Sequence, residues 1–219
     1  MLITYHGHAE FEIQLANGYT IITDPYDAHV GYEMKEYACD AVTVSHGHGD
    51  HNFIDKLLGN FAQVDSAGEW HLAPEVKVTA IPSVHDEAGG TKRGKNLIMK
   101  LEAEGLTLVH LGDQGDRITQ EQLSAMGKVD VLLIPVGGFY TIDAQLAGET
   151  VDQLNPRVVI PMHYKTAVNA DWPIADEKPF LQRMNAADAH PMPLIRITKG
   201  DLDQQPRLAL LQYVQPTGQ

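Results

Sequence analysis

Within six residues, His46-Gly47-His48-Gly49-Asp50-His51, the chain places three imidazoles and a carboxylate, separated only by glycine. Ala41-Val42-Thr43-Val44 before it is a β-branched run suited to a buried strand, and residues 52–58 after it read as the opening of a helix. The ligand-bearing segment therefore sits on a strand-to-helix turn. Three imidazoles this close are hard to satisfy in an interior unless something binds them, which weighs against plain helix-entry residues with Asp50 as an N-cap. In an extended loop, residues two apart point the same way, so His46 and His48 converge on one ion while Asp50 and His51 diverge toward a second. Gly47 and Gly49 leave the backbone free to turn tightly.

Other strand-like runs also end in histidine or aspartate. Residues 2–5, 11–15 and 19–23 read as a β meander with Asn17-Gly18 as a hairpin turn. Between the first two, His6-Gly7-His8 is either a turn with solvated or core-edge histidines or, through His8, a group near the metals. The third strand ends in Thr23-Asp24-Pro25, where proline stops the ladder. Residues 26–40, with Tyr26, His29, Tyr32 and Tyr37, form a loop or short helix rich in aromatics, readable as a pocket wall or as plain packing. Strands at 61–64 and 76–81 follow, the second running into His85. Residues 86–96 form a glycine-rich loop with Lys92, Arg93, Lys95 and Asn96, readable as a solvated hairpin tip or as a substrate-facing loop for an anionic group.

Strands at 96–101 and 106–111 flank Glu104-Gly105, and the second leads to Asp113. A helix over 119–126 with Thr119 as cap, a strand at 131–136, a loop carrying Phe139 and Tyr140, and a helix over 143–154 come next. The strand at 158–164 reaches His163, with Tyr164 and Lys165 directly after it. A helix over 176–187 and a strand over 208–214 close the chain. His71, His110 and His190 lie outside the pattern and read as structural.

The 219 residues suit one large domain, 1–219, and 43% hydrophobic against 21% charged residues excludes wholesale disorder. A formal net charge of -13 disfavours nucleic acid and anionic membranes as partners and points to a small-molecule substrate. The single cysteine, Cys39, forms no intramolecular disulfide and reads as a small buried hydrophobe. Residues 1–6 lack a basic segment followed by an apolar core, and no run approaches a membrane span, so a cytoplasmic location is expected.

His46-Gly47-His48-Gly49-Asp50-His51 resembles the H-x-H-x-D-H signature of the metallo-β-lactamase-fold superfamily, and Asp24, His85, Asp113 and His163 match its remaining motifs in order. The resemblance is closest to compact hydrolases similar to the ascorbate-phosphate lactonase group. It implies a four-layer αββα sandwich of two mixed sheets with helices on the outer faces. It also implies His46, His48 and His85 on one ion, Asp50, His51 and His163 on another, and Asp113 bridging. Asp24 would orient a ligand histidine, so that Asp24 and Asp50 count as catalytic. Imidazole and carboxylate ligands without thiolate suit two Zn²⁺ per chain, with Mn²⁺ or Fe²⁺ as alternatives.

Each ion would keep an open position, and a water bridging two dications becomes a nucleophile near neutral pH. Two dications against two carboxylates and a hydroxide leave the cleft cationic in an acidic protein. The expected substrate is a small anionic or carbonyl compound, a lactone, thioester or phosphoester, contacted by His8, Lys92, Arg93, Asn96, Tyr140, Tyr164 or Lys165. Transfer-RNA-processing relatives carry a long arm this chain has no room for, and flavodiiron relatives have glutamate where His48 stands. A nuclease acting on short nucleic acid and a non-enzymatic metal or ligand sensor are the competing classes. The oligomeric state is not encoded in any feature of the chain.

Overall fold

The computed structural model describes residues 1–33 and 36–213. In chain order its strands are β1 (Leu2–Gly7), β2 (Glu10–Gln14), β3 (Thr20–Thr23), β4 (Tyr37–Ala38), β5 (Ala41–Thr43), β6 (Leu57–Leu58), β7 (Ala62–Val64), β8 (Gly68–Ala73), β9 (Val76–Val84), β10 (Lys95–Ala103), β11 (Leu106–His110), β12 (Val131–Pro135), β13 (Val158–Met162) and β14 (Ile195–Arg196). The helices are α1 (Gln120–Met126), α2 (Ala144–Leu154) and α3 (Lys178–Arg183).

Two six-stranded sheets result, ordered β14-β1-β2-β3-β5-β7 and β13-β12-β11-β10-β9-β8, with β4 and β6 paired separately. Each large sheet is antiparallel across three junctions and parallel across two, the parallel pairs being β3–β5 and β5–β7 in one and β11–β12 and β12–β13 in the other. These pairings make β1, β3 and β5 run one way in their sheet, and β9, β11, β12 and β13 run one way in theirs. The sequence after each of these strands contains His8, Asp24, His46, His85, Asp113, Tyr140 or His163. The topology thus delivers the chemical residues from strand ends, as open sheets with parallel strands do.

The two sheets share one core. Ile3, Phe11 and Ile13 from the first and Ile98, Leu108, Leu132 and Ile160 from the second are at most 1% exposed and belong to one packed cluster. Each such side chain is worth about 1.5–3 kcal/mol of apolar burial. β12 and β13 are buried at every position, because their second face is covered too, with Ala147 and Val151 of α2 and Phe180 of α3 in the same cluster. On the far side of the first sheet, Ile22, Val42 and Val44 pack with Tyr37, Cys39 and Leu57. A 3₁₀ turn at Ile54–Lys56 and the β4–β6 pair supply that outer cover.

Several local expectations change. The helix expected over 52–58 is a single 3₁₀ turn that runs into β6, because Lys56 turns inward to a buried carboxylate rather than continuing an amphipathic face. The helix over 176–187 contracts to α3, and the strand over 208–214 becomes isolated bridges at Leu208, Leu211 and Tyr213, with Val214 outside the described residues. β8, Gly-Glu-Trp-His-Leu-Ala, lacks β-branched residues and owes its conformation to pairing with β9. The Thr119 cap is realised as a capping box: Thr119 Oγ1 accepts from Gln122 N, and Gln122 Oε1 accepts from Thr119 N.

Candidate metal centre

The ligand loop begins as β5 ends. At Gly49 a Cβ would lie 2.5 Å from Asp27 Oδ2, so the Asp27 carboxylate would have to shift, whereas a Cβ on Gly47 would meet nothing within 4 Å. Only one of the two glycines therefore answers to a close approach. Across the cleft, Gly112 adopts φ +55, and a Cβ on it would lie 2.4 Å from Asn96 Oδ1 and 2.6 Å from Ser45 Cβ. That close approach lets the β11 turn bring Asp113 against the loop.

Three ligand sets form among the described residues: His46 with His48 and His85; His8 with Asp50, His51 and His163; and His46 with His51 and Asp113. In each set the ligand atoms lie within 4.8 Å of one another. Asp113 joins the two halves. Its Oδ1 is 3.2 Å from His51 Nε2, and its Oδ2 is 3.2 Å from His85 Nε2 and 3.3 Å from His163 Nε2. His46 Nε2, Asp113 Oδ1 and both ring nitrogens of His163 are buried without a hydrogen-bond partner. Orphaned polar atoms converging on common points are the signature of a donor set built for cations.

Asp24 organises the histidines from behind. Its Oδ2 accepts from His51 Nδ1 at 2.9 Å and from Ser45 Oγ at 2.6 Å, and its Oδ1 accepts from Ser45 N at 2.7 Å. Since the Ser45 hydroxyl donates to Asp24, it accepts from His46 Nδ1, 2.9 Å away. With a cation bound, both histidines would carry their proton on Nδ1 and turn a bare Nε2 to the centre. Burial opposes charge on Asp24, but the hydrogen bond from His51 and the surrounding imidazoles hold its carboxyl below the usual range. Burial likewise opposes charge on Asp113, and His163 and His51 outweigh it to bring that carboxyl well down. On His51, burial is outweighed by Asp113 and Asp24, so its pKa rises well above the usual value. His46 falls to about 3, from burial first and then from His51.

His8 is more deeply placed than expected of a substrate contact. It is fully buried, with φ +55, and its Nε2 lies 3.1 Å from Asp50 Oδ2 and 3.2 Å from His51 Nε2. Its carbonyl accepts from His163 N at 2.8 Å and thereby ties the β1 turn to the β13 turn. Burial, then His163, pushes its pKa down to about 3.

The centre opens into a cavity of about 560 Å³ whose wall includes His48, Asp50, His85 and Asp113, and also His29, Arg93, Tyr140, Asp171, Trp172 and Pro173. A second cavity of about 860 Å³ adjoins it, sharing His48 and Arg93 and reaching Lys95 and Asn96. Among the expected substrate contacts, Arg93 and Tyr140 are therefore at the cleft. Asn96 is buried, with Nδ2 donating to Leu111 O and Oδ1 accepting from Asp113 N, so it braces the Asp113 turn. Lys92 pairs with Glu87 and lines neither cavity. Tyr164, 6% exposed and packed in the main core, and Lys165 line a different cavity of about 520 Å³. His110 is structural as expected: Nε2 donates to Ala9 O and Nδ1 accepts from Gly112 N.

Ser45 and Asp86, which sequence reasoning passed over, stand directly beside the ligands His46 and His85, and that adjacency was the available signal. Trp172 and Asp171 had none, since only folding brings their loop to the cleft, whereas His29 lies in the aromatic 26–40 segment whose reading as a pocket wall is met at this residue. Among the described residues, no helix is long and apolar enough to cross a membrane.

Comparison with known proteins agrees with this geometry. The model of the beta-lactamase superfamily domain matches residues 2–163. A UPF0173 metal-dependent hydrolase of Nanoarchaeum equitans is 32% identical over 206 residues, covering 82% of this chain and 89% of the relative. One of Carboxydothermus hydrogenoformans is 28% identical over 203 residues, covering 80% and 87%. A crystal structure from Thermotoga maritima, described as a Zn-dependent hydrolase of the metallo-beta-lactamase superfamily, superposes with a TM-score of 0.76 at 31% identity, covering 96% of this chain and 98% of the other. The chain belongs to the UPF0173 metal-dependent hydrolase family of the metallo-β-lactamase superfamily.

Proposed function

We propose that this protein is a binuclear metal-dependent hydrolase of small molecules. The observation that carries the reading is the shared Asp113, whose carboxylate lies within 3.3 Å of both ligand sets, with Oδ1 near His51 and Oδ2 near His85 and His163. His46, His48 and His85 would hold one ion, and Asp50, His51 and His163 the other. Oxygen and nitrogen donors without thiolate favour zinc, with manganese or iron as alternatives. The naming of the relatives as metal-dependent hydrolases, and of one as zinc-dependent, supports the same class.

Bound there, the ions would supply Lewis acidity, activating water and polarising a carbonyl or phosphoryl oxygen. The chain's own residues do the rest. Asp24 and Ser45 fix the tautomers of His51 and His46, and His8 holds Asp50 Oδ2. Asp50, 16% exposed at the cavity wall, is the carboxylate placed to take a proton from water and return it to the leaving group. Hydrolysis of an ester, lactone or thioester forms a bond from water oxygen to the acyl carbon and breaks the carbon–oxygen or carbon–sulfur bond. Tyr140, Trp172 and Pro173 form an apolar wall suited to a metabolite-sized substrate.

Elemental analysis of the purified protein, with His163→Ala and Asp113→Ala variants, tests this alongside a panel of lactone, thioester and phosphodiester substrates. Two ions per chain, falling in both variants together with turnover, are expected. One ion or none, unchanged in the variants, overturns the binuclear reading.

A further inference from the structure

The loop after His85 is wound around one carboxylate. Asp86, 1% exposed, accepts four backbone N–H groups: Ala88 at 2.9 Å and Gly90 at 3.0 Å on Oδ1, Lys92 at 3.0 Å and Arg93 at 2.7 Å on Oδ2. The loop closes on itself as well, with His85 N donating to Gly94 O and Gly94 N to Gly90 O, both at 3.1 Å. Gly90 has φ +83, and a Cβ on it would lie 2.7 Å from Gly94 O. So many hydrogen bonds on one buried carboxylate make a preorganised element, where a solvated hairpin tip would have none.

What this element presents is Arg93, half-buried at the junction of the two cavities beside the metal centre. Its guanidinium carbon lies 5.7 Å from the Tyr140 ring centre and 5.9 Å from that of Phe139. Phe139 itself is 61% exposed and held at φ +59, a conformation a bulky residue adopts only under constraint. In a protein with 29 acidic and 16 basic side chains, Lys56, Lys92, Arg117 and Arg183 have carboxylate partners. Arg93 has none among the described residues. Asp171 shares its cavity but is exposed, and its charge is largely screened by solvent.

We propose that Arg93, positioned by Asp86, is the receptor for an anionic group of the substrate, so that the enzyme prefers acyl esters, lactones or thioesters bearing a carboxylate or phosphate apart from the scissile bond. The guanidinium fork matches either anion bidentately, and the flanking rings limit its motion and its hydration. This inference rests on the hydrolytic reading above and adds the substrate class to it.

The test uses the zinc-loaded protein and three para-nitrophenyl esters of the same chain length, ending in a carboxylate, a phosphate or a neutral methyl ester. Wild type is expected to favour one charged ester over the neutral one by about 10- to 100-fold in kcat/KM, the range for a charged hydrogen-bonded pair. The favoured ester names the anion. Arg93→Met should bring that ratio near one, and Asp86→Asn, which keeps the guanidinium but loosens the loop, should lower it mainly through KM. Metal content is measured in each variant to separate this from a lost ion. A wild-type ratio near one, or a ratio unchanged in Arg93→Met, overturns the proposal while leaving the hydrolase standing. If none of the esters turns over, the simple-ester form of the hydrolytic reading falls. Calorimetric titration with glutarate and inorganic phosphate then decides the subsite: Arg93-dependent binding sustains it, and equal binding in wild type and Arg93→Met overturns it.

Discussion

Asp24→Asn replaces one oxygen by an NH₂ group without changing shape, and its effect can be worked out bond by bond. The native carboxylate accepts three hydrogen bonds, from Ser45 N, Ser45 Oγ and His51 Nδ1. If the asparagine oxygen stays on Ser45 N, its NH₂ meets the His51 Nδ1–H and the Ser45 hydroxyl. The relay then inverts: Ser45 donates to His46 Nδ1, and both His46 and His51 carry their proton on Nε2, where a metal must bind. If the amide flips, its NH₂ faces the Ser45 backbone N–H instead. Either way a metal-competent His51 requires one donor–donor clash, which costs about 1–3 kcal/mol in a buried site. At ~1.4 kcal/mol per tenfold, zinc affinity should fall roughly 5- to 150-fold, within the range known for outer partners of metal-bound histidine. Competition against a chromophoric chelator measures it, with circular dichroism to show the fold retained. Zinc affinity within threefold of wild type would mean that Asp24 does not set the tautomers, and the relay argument would fail.

Chelation should destabilise the protein, since metal present at about 100 times its Kd adds ~2.7 kcal/mol and its removal should lower Tm on the order of 5–10 °C in a chain of this length. An unchanged Tm after verified metal loss would contradict the reading of the orphaned ligand atoms. Lys56→Met strands the buried Glu10, which also holds Tyr37, the Tyr26 amide and His6. Urea unfolding should show a loss of about 3 kcal/mol, the lower end for breaking a buried pair because those other donors remain, and a loss under ~1 kcal/mol would count against the pair. Gly112→Ala meets both a positive φ and the Asn96 and Ser45 contacts, so about 2–4 kcal/mol of destabilisation is expected from strain and overpacking. Metal content should drop with it as Asp113 is displaced, and a variant as stable and as metal-rich as wild type would show that the turn relaxes freely.

Much of this protein was legible in the chain alone. His46 to His51 announced a candidate metal site because local spacing places donors, and strand runs ending at Asp24, His85, Asp113 and His163 announced the rest of the cluster, since strand periodicity is a short-range property. The capping box at Thr119 was legible for the same reason. The pairing partners were not. β8 exists because β9 lies beside it, and the 52–58 segment stopped short of a helix because Lys56 found Glu10, which is 46 residues away in the chain and invisible to any local pattern.

The functional residues divide in the same way. Sequence spacing by itself determined the candidate ligand types, their order and the acidic character of the protein, all of which follow from composition and near-neighbour geometry. Only the tertiary structure places His8 Nε2 against Asp50 and His51, turns Tyr164 and Lys165 to another cavity, and brings Arg93 rather than Lys92 to the cleft. The physical reason is that a side chain's direction depends on which turn carries it and what packs behind it. Those turns are set by contacts such as Asp24 to Ser45 and Asp86 to the Arg93 amide, and by the Gly112 approach to Ser45, which brings the two sheets together.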